Sequence, residues 1–193
     1  LATPPVLCWF RAGRQEGTTE LPAQDLIIKP LDGYSGSRIE RWIWQGDGHY
    51  AGAGKVRLDR AALWDHLCRL SHEGPMLVQP RLRNHHAIAG LSMGTLCTAR
   101  LITSRSPGRD ATFVAAIMRM GVGDAVVDNF GANGIACPIE GQCGVLSGPA
   151  VRWTLLSPGQ DRHPDTGVRL EGLILPDWDA AVRLCLRAHG GLS

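Results

Sequence analysis

Residues 111–140 read ATFVAAIMRMGVGDAVVDNFGANGIACPIE. Ala111 to Met120 is an apolar run with one charge, Arg119, and reads as a long strand. Gly121-Val122-Gly123-Asp124 supplies a hairpin-type connection, after which Ala125 to Asp128 is expected to pair back. Ile135 to Ile139 and Val145 to Leu146 are short strands separated by Gly141 and Gly144. Just upstream, Leu96 to Thr103 alternates, with Leu96, Thr98, Arg100 and Ile102 on one side. Strands at this spacing build an antiparallel sheet, so the second half of the chain is strand-rich.

Working outward, the first 24 residues are punctuated by Pro4, Pro5, Gly13, Gly17 and Pro22, and read as loop with one short apolar stretch, Val6 to Phe10. Asp25-Leu-Ile-Ile-Lys29-Pro30 is a β-branched strand that stops at Lys29, because proline ends the run. Gly33 to Ser37 is a turn-rich loop. Arg38 to Trp44 reads as the return strand, with Ile39, Arg41 and Ile43 on one face and Glu40, Trp42 and Trp44 on the other. Asp59 is a plausible N-cap for a helix through Ser71, with Leu63, Leu67 and Leu70 on its apolar side. Gly74-Pro75 breaks it, and Met76 to Gln79 is another strand. Pro176-Asp177 starts a second helix, with Ala181, Leu184, Cys185 and Ala188 on its apolar stripe and Gly190-Gly191 at its end. The fold class is α+β, with two antiparallel sheets each joined by a helix.

Composition narrows the function classes. A chain of 193 residues with 44% apolar residues can bury a real core and suggests one domain or two small lobes. No apolar run approaches the roughly 20 residues of a membrane span, so the protein is not an integral membrane protein of the helical type. A net charge of +2 gives no reason to expect a nucleic-acid-coating surface. Of the 20 basic residues only Lys29 and Lys55 are lysine, so a lysine here is more informative than usual. None of the six cysteines forms C-x-x-C or pairs with His at zinc spacing. Buried free thiols in a reducing cytoplasm are expected, against a Cys137–Cys143 disulfide or a metal.

Several residues could carry chemistry. Lys29 ends a strand before a glycine loop, where an ammonium can reach phosphate oxygens. Gly33 and Gly36 let backbone N–H groups turn toward an anion, and Ser35 and Ser37 add hydroxyl donors. The plainer alternative is a solvated lysine and an ordinary hairpin turn. Arg100 and Arg119 lie within apolar strands, where a guanidinium must be paired or must face a cavity. A carboxylate or phosphate ligand would satisfy both. The plainer alternatives are an internal ion pair with Asp128 or another carboxylate, or simple exposure on an open sheet face. Asn129 can orient a ligand or simply form an Asx turn. His163-Pro-Asp165-Thr-Gly167 reads as a rigid turn. His85 and His86 are adjacent and do not suit a shared metal.

Taken in order, LIIKPLDGYSGSRI, LVQPRLRNHHAIAGLSMGTLCTARLIT, FVAAIMRMGVGDAVVDNFGANGIACPIE and HPDTGVRLEGLILPDWDAAVRL resemble successive blocks of the sugar-transfer-associated ATP-grasp family. The resemblance runs from about Pro22 to about Ala188. It implies an ATP-grasp fold, with two lobes that each carry an antiparallel sheet and packed helices and with an ATP cleft between them. Residues 1–78 would be the small lobe with its glycine loop, and residues 79–193 the large lobe, both incomplete. By the same resemblance Lys29 contacts ATP phosphates, and the loop containing Gly33, Ser35, Gly36 and Ser37 covers them. Leu77, Val78 and Gln79 form the hinge that reads the adenine edge. Arg100, Arg119 and Asn129 face the transferred phosphate and a carboxylate substrate.

The implied activity is a carboxylate–amine or similar ligase acting through an acylphosphate, in cell-surface polysaccharide synthesis. Its partners would be ATP and a small carboxylate or sugar-linked substrate, with no nucleic acid. Two departures stand out. The family's upstream phosphate-contacting lysine has no counterpart before Lys29, and the Mg2+ ligands are expected beyond Ser193. With Leu rather than Met at position 1, the chain is expected to be a fragment truncated at both ends that does not turn over ATP by itself. Two other readings are a non-catalytic nucleotide- or glycan-binding module, and a structural protein whose cations make internal salt bridges.

Overall fold

The computed structural model describes residues 3–17, 20–33, 36–141, 143–154 and 158–191. The chain divides into two compact units, residues 1–82 and 83–193, each with its own sheet and core.

The first unit is a seven-stranded antiparallel sheet with strand order β2-β1-β7-β3-β4-β5-β6. Its strands are β1 (Cys8–Arg11), β2 (Arg14–Gly17), β3 (Leu26–Pro30), β4 (Glu40–Trp44), β5 (His49–Ala51), β6 (Arg57–Asp59) and β7 (Met76–Pro80). The period of two separates the faces. Leu26, Ile28, Trp42, Tyr50, Met76, Val78, Cys8 and Phe10 all point to one side and bury there. Helix α1 (Arg60–Leu70) closes that side with Leu63 and Leu67, which are fully buried. It starts where the sequence places it: the Asp59 carboxylate accepts the Ala62 N–H at 2.8 Å, satisfying one of the unpaired donors of the first turn. The β1–β2 hairpin corrects the expectation that the N-terminal stretch is mainly loop. Ala12 and Gly13, at φ 48° and 78°, turn the chain, and polar β2 pairs along β1 without contributing to the core.

The second unit is a five-stranded antiparallel sheet. Strands β8 (Thr98–Ser104), β9 (Thr112–Met120), β10 (Ile135–Glu140) and β11 (Val145–Leu146) follow in the order β11-β10-β9-β8, and β12 (Val151–Arg152) pairs with β10. Ala116, Met118, Met120, Ile135, Cys137, Ile139 and Leu146 share the inner face. Helix α2 (Trp178–Gly190) covers that face through Trp178 and Val182. Leu184, expected on the apolar stripe of this helix, is instead 40% exposed, because the stripe runs through Trp178 and Val182. Among the described residues no helix is long and apolar enough to cross a membrane.

One strand expectation fails. Ala125 to Asp128 does not pair back onto β9; β10 does, with Ile135 opposite Met120 and Ile139 opposite Ala116. The 121–134 segment is held by side chains rather than by a ladder. Thr95 Oγ1 donates to the Ala125 carbonyl at 2.5 Å, and the Asp128 carboxylate accepts from the sheet beneath it. The connection is therefore a long loop across the sheet and not a tight hairpin.

All six cysteines are free thiols. Cys8, Cys97 and Cys137 are buried, whereas Cys143 is exposed.

Candidate functional site

In the first unit the strand register decides which side chains meet. Lys29 stands opposite Leu77, and Ile27 opposite Gln79, across the β3–β7 pair. Directly opposed residues of an antiparallel pair share a face. Lys29, Leu77 and Gln79 therefore sit together on the face turned away from the α1 core, while Val78 points into that core and is fully buried. Gln79 is itself buried and donates from Nε2 to the Pro4 carbonyl at 2.8 Å. The Lys29 side chain is half-buried and has no hydrogen-bond or ion-pair partner among the described residues.

Lys29 is followed by the turn that joins β3 to β4. Gly33 is required there, because a Cβ at that position would lie 2.7 Å from Pro30 Cγ. Gly36 takes φ 75°, the left-handed region open to glycine. Ser37 is exposed. Ser35 falls outside the described residues. The far side of the turn is anchored at Arg38, whose guanidinium donates to the Leu70 carbonyl at 3.1 Å and pairs with Glu73 at 3.3 Å.

In the second unit the outer sheet face carries the two arginines. Thr98 is opposite Arg119, and Arg100 is opposite Ile117. Arg119 is also opposite Ala136 on its other side. The two guanidiniums differ in circumstance. Arg119 Nη2 lies 2.6 Å from Asp128 Oδ1, and its Nε donates to Thr98 Oγ1 at 3.3 Å. Thr98 Oγ1 in turn donates to Asp128 Oδ2, closing a triangle. Arg100 is exposed and without a hydrogen-bond or ion-pair partner among the described residues.

Asn129 opens the short 3-10 turn Phe130–Ala132. Its Oδ1 accepts the Gly131 N–H at 3.2 Å, an Asx-type cap. Gly134 is buried, and a Cβ there would meet the Asn129 carbonyl at 2.7 Å. His163 is buried as well. Its Nε2 lies 3.1 Å from the Gly121 carbonyl, and its Nδ1 accepts the Asp165 N–H at 3.3 Å, so the ring pins the start of the 121–134 loop.

The sequence reading missed the role of Thr98. Its only signal was its place two residues before Arg100 on the same strand face. It also passed over Trp153, an exposed aromatic whose ring contacts Phe130.

Residues 14–192 match the family described as sugar-transfer associated ATP-grasp. The chain belongs to that family. No curated protein and no solved structure matches it. Membership of an ATP-grasp family implies ATP as a ligand, usually with Mg2+. The ammonium of Lys29, without a partner among the described residues and close before a glycine turn, fits a polyphosphate, and so does the exposed guanidinium of Arg100. Among the described residues no three His, Cys, Asp or Glu side chains gather as a metal site. The Asp128 carboxylate, on the same sheet face as the arginines, is already held by Arg119 and Thr98.

Proposed function

We propose that this ATP-grasp protein binds ATP for a ligase reaction that joins a carboxylate to an amine or similar nucleophile, in cell-surface polysaccharide synthesis in the cytoplasm. The carrying observation is Lys29: a cation with no described partner, placed beside Leu77 and immediately before the glycine turn. In this reading the Lys29 ammonium and the backbone N–H groups around Gly33 and Gly36 hold the phosphates. Leu77 supplies an apolar wall for the base, whose edge must be read elsewhere, because the backbone of Leu77 to Gln79 is taken up by pairing with β1 and β3.

Within the second unit, Arg100 is an exposed cation suited to an anionic substrate group. In such chemistry a carboxylate oxygen attacks the γ-phosphorus, ADP leaves, and the nucleophile then displaces phosphate from the acylphosphate. Fixed cations stabilise the charge that is spread over the phosphoryl oxygens in the transition state. Arg119 acts one step back: it fixes Asp128, and with it the loop that carries Asn129.

Thermal stabilisation by ATP tests this reading. A ligand that binds only the native state raises stability by RT ln(1 + [L]/Kd). A dose-dependent rise in Tm with ATP, absent with adenosine and much reduced in Lys29→Ala, is the expected result. The same Tm with and without millimolar ATP would overturn the reading.

A further inference from the structure

We propose that Trp153, braced edge to face by Phe130, forms a stacking platform for the pyranose ring of a carbohydrate ligand, with Asn133 and Arg152 supplying polar groups nearby. The proposal rests on the sugar-linked substrate of the reading above, but not on the ATP chemistry.

A tryptophan side chain normally buries most of its surface. Trp153 is 75% exposed. It is nevertheless held in place: its ring meets Phe130 edge to face, with centroids 5.7 Å apart and planes at 89°. Phe130 sits in the Asn129-capped turn, which ends at Asn133 in the left-handed region, φ 67°. The residue just before Trp153 clamps that turn. Arg152 Nη1 donates to the Asn133 carbonyl at 3.0 Å and to its Oδ1 at 2.6 Å. Strand β12 and the turn are thus tied together by two hydrogen bonds and one ring contact, so the platform is formed before any ligand arrives.

The surroundings select the ligand class. One flat aromatic surface suits the C–H face of a sugar ring. Nearby groups supply what its hydroxyls need: the Asn133 amide NH2 and the Trp153 indole N–H, neither with a hydrogen-bond partner among the described residues, and the remaining N–H groups of Arg152. An apolar peptide would need a groove, whereas this is a single exposed ring that follows Arg152 in the chain and touches the turn that ends at Asn133. Val151, 44% exposed and opposite Ala136, continues the surface toward Arg119, which is opposite Ala136 on the other side. A sugar stacked on Trp153 would therefore lie at the edge of the sheet face that carries the arginines.

Saturation-transfer NMR on the full chain tests this with three methyl β-pyranosides: the glucoside, the N-acetylglucosaminide and the glucuronide. At least one is expected to receive saturation at its ring C–H protons. Trp153→Ala should weaken that binding about tenfold, and Trp153→Phe should retain most of it. Trp153 is exposed, so circular dichroism should show both variants folded, and Asn133→Ala provides a second, independent weakening. Silence from all three pyranosides, or unchanged binding in Trp153→Ala, overturns the proposal. Loss of ATP affinity in Trp153→Ala without pyranoside binding also overturns it and makes the ring a nucleobase platform. Pyranoside binding without ATP binding upholds it and defeats the nucleotide reading alone.

Discussion

Arg119 and Asp128 form an ion pair 2.6 Å long on the outer face of the second sheet, with the Asp128 side chain only 7% exposed. The pair explains how a guanidinium is tolerated within an apolar strand, and why the 121–134 loop needs no ladder to lie on the sheet. It also predicts an asymmetric mutational cost. Arg119→Met leaves a buried carboxylate unpaired and should destabilise the protein by about 3 kcal/mol. Asp128→Asn in the Arg119→Met background should recover much of that loss. Arg119→Lys should not, because one ammonium cannot reproduce the separate Nη2 and Nε contacts. Urea unfolding of the single and double variants measures the coupling. Additive costs would show that the pair contributes nothing.

Lys29 and Arg100 should behave in the opposite way. Neither has a described partner, so alanine at either position should change stability by less than about 0.5 kcal/mol. In the proposed reading, however, each would remove a charge-assisted contact to an anionic ligand. Lys29→Ala should weaken ATP binding about tenfold to a hundredfold. Isothermal titration beside thermal melts checks both halves. A large loss of Tm in Lys29→Ala, with nucleotide affinity intact, would make it a structural lysine.

The local rules were enough for most of the first unit. A β-branched run ended by Pro30, an alternating tryptophan strand and an Asp cap each imply one geometry, and β3, β4 and α1 follow them. The short polar strand β2 was not legible, because edge pairing leaves no hydrophobic alternation to read. Ala125 to Asp128 misled for a related reason. Its composition suits a strand, but the tertiary bonds from Thr95, Thr98 and Arg119 hold it as loop, and such contacts have no local signature. For the site, spacing alone left Arg119 undecided between a ligand and Asp128, since both satisfy the same guanidinium. Only coordinates separate it from Arg100. Trp153 carried no signal, because exposure is a property of the fold and not of the residue.

Asp59 offers a test of how much of α1 rests on its cap. The side chain accepts the Ala62 N–H at 2.8 Å, and the residue is exposed, so its removal disturbs no packing. Asp59→Ala should cost about 1 kcal/mol, and Asp59→Asn much less, because asparagine caps nearly as well. At this size the alanine variant should melt about 3 °C lower. Equal melting of the two variants would show that the cap is dispensable.

Cys97 and Cys137 predict the response to alkali. Burial pushes both thiols up from 9.0 to about 11, since a thiolate would have to form away from water. At Cys97 burial outweighs the hydrogen bonds from Ser92, Asn84 and Gly121 that pull the other way, Asn84 Nδ2 donating to Sγ at 3.6 Å, whereas at Cys137 burial acts alone. Between about pH 9 and about pH 11 the unfolded chain binds fewer protons than the native one at these two sites. Stability is therefore full below pH 9 and falls as the pH rises through that window. Chemical unfolding at fixed pH values from 8 to 11 should show the decline, and Cys137→Ala should make it shallower by about one proton's worth of slope. At pH 8 iodoacetamide should modify exposed Cys143 first and leave Cys97 and Cys137 untouched until the protein unfolds. Alkylation of Cys137 in the folded state, or an alkaline slope unchanged by its removal, would contradict the burial that raises its pKa.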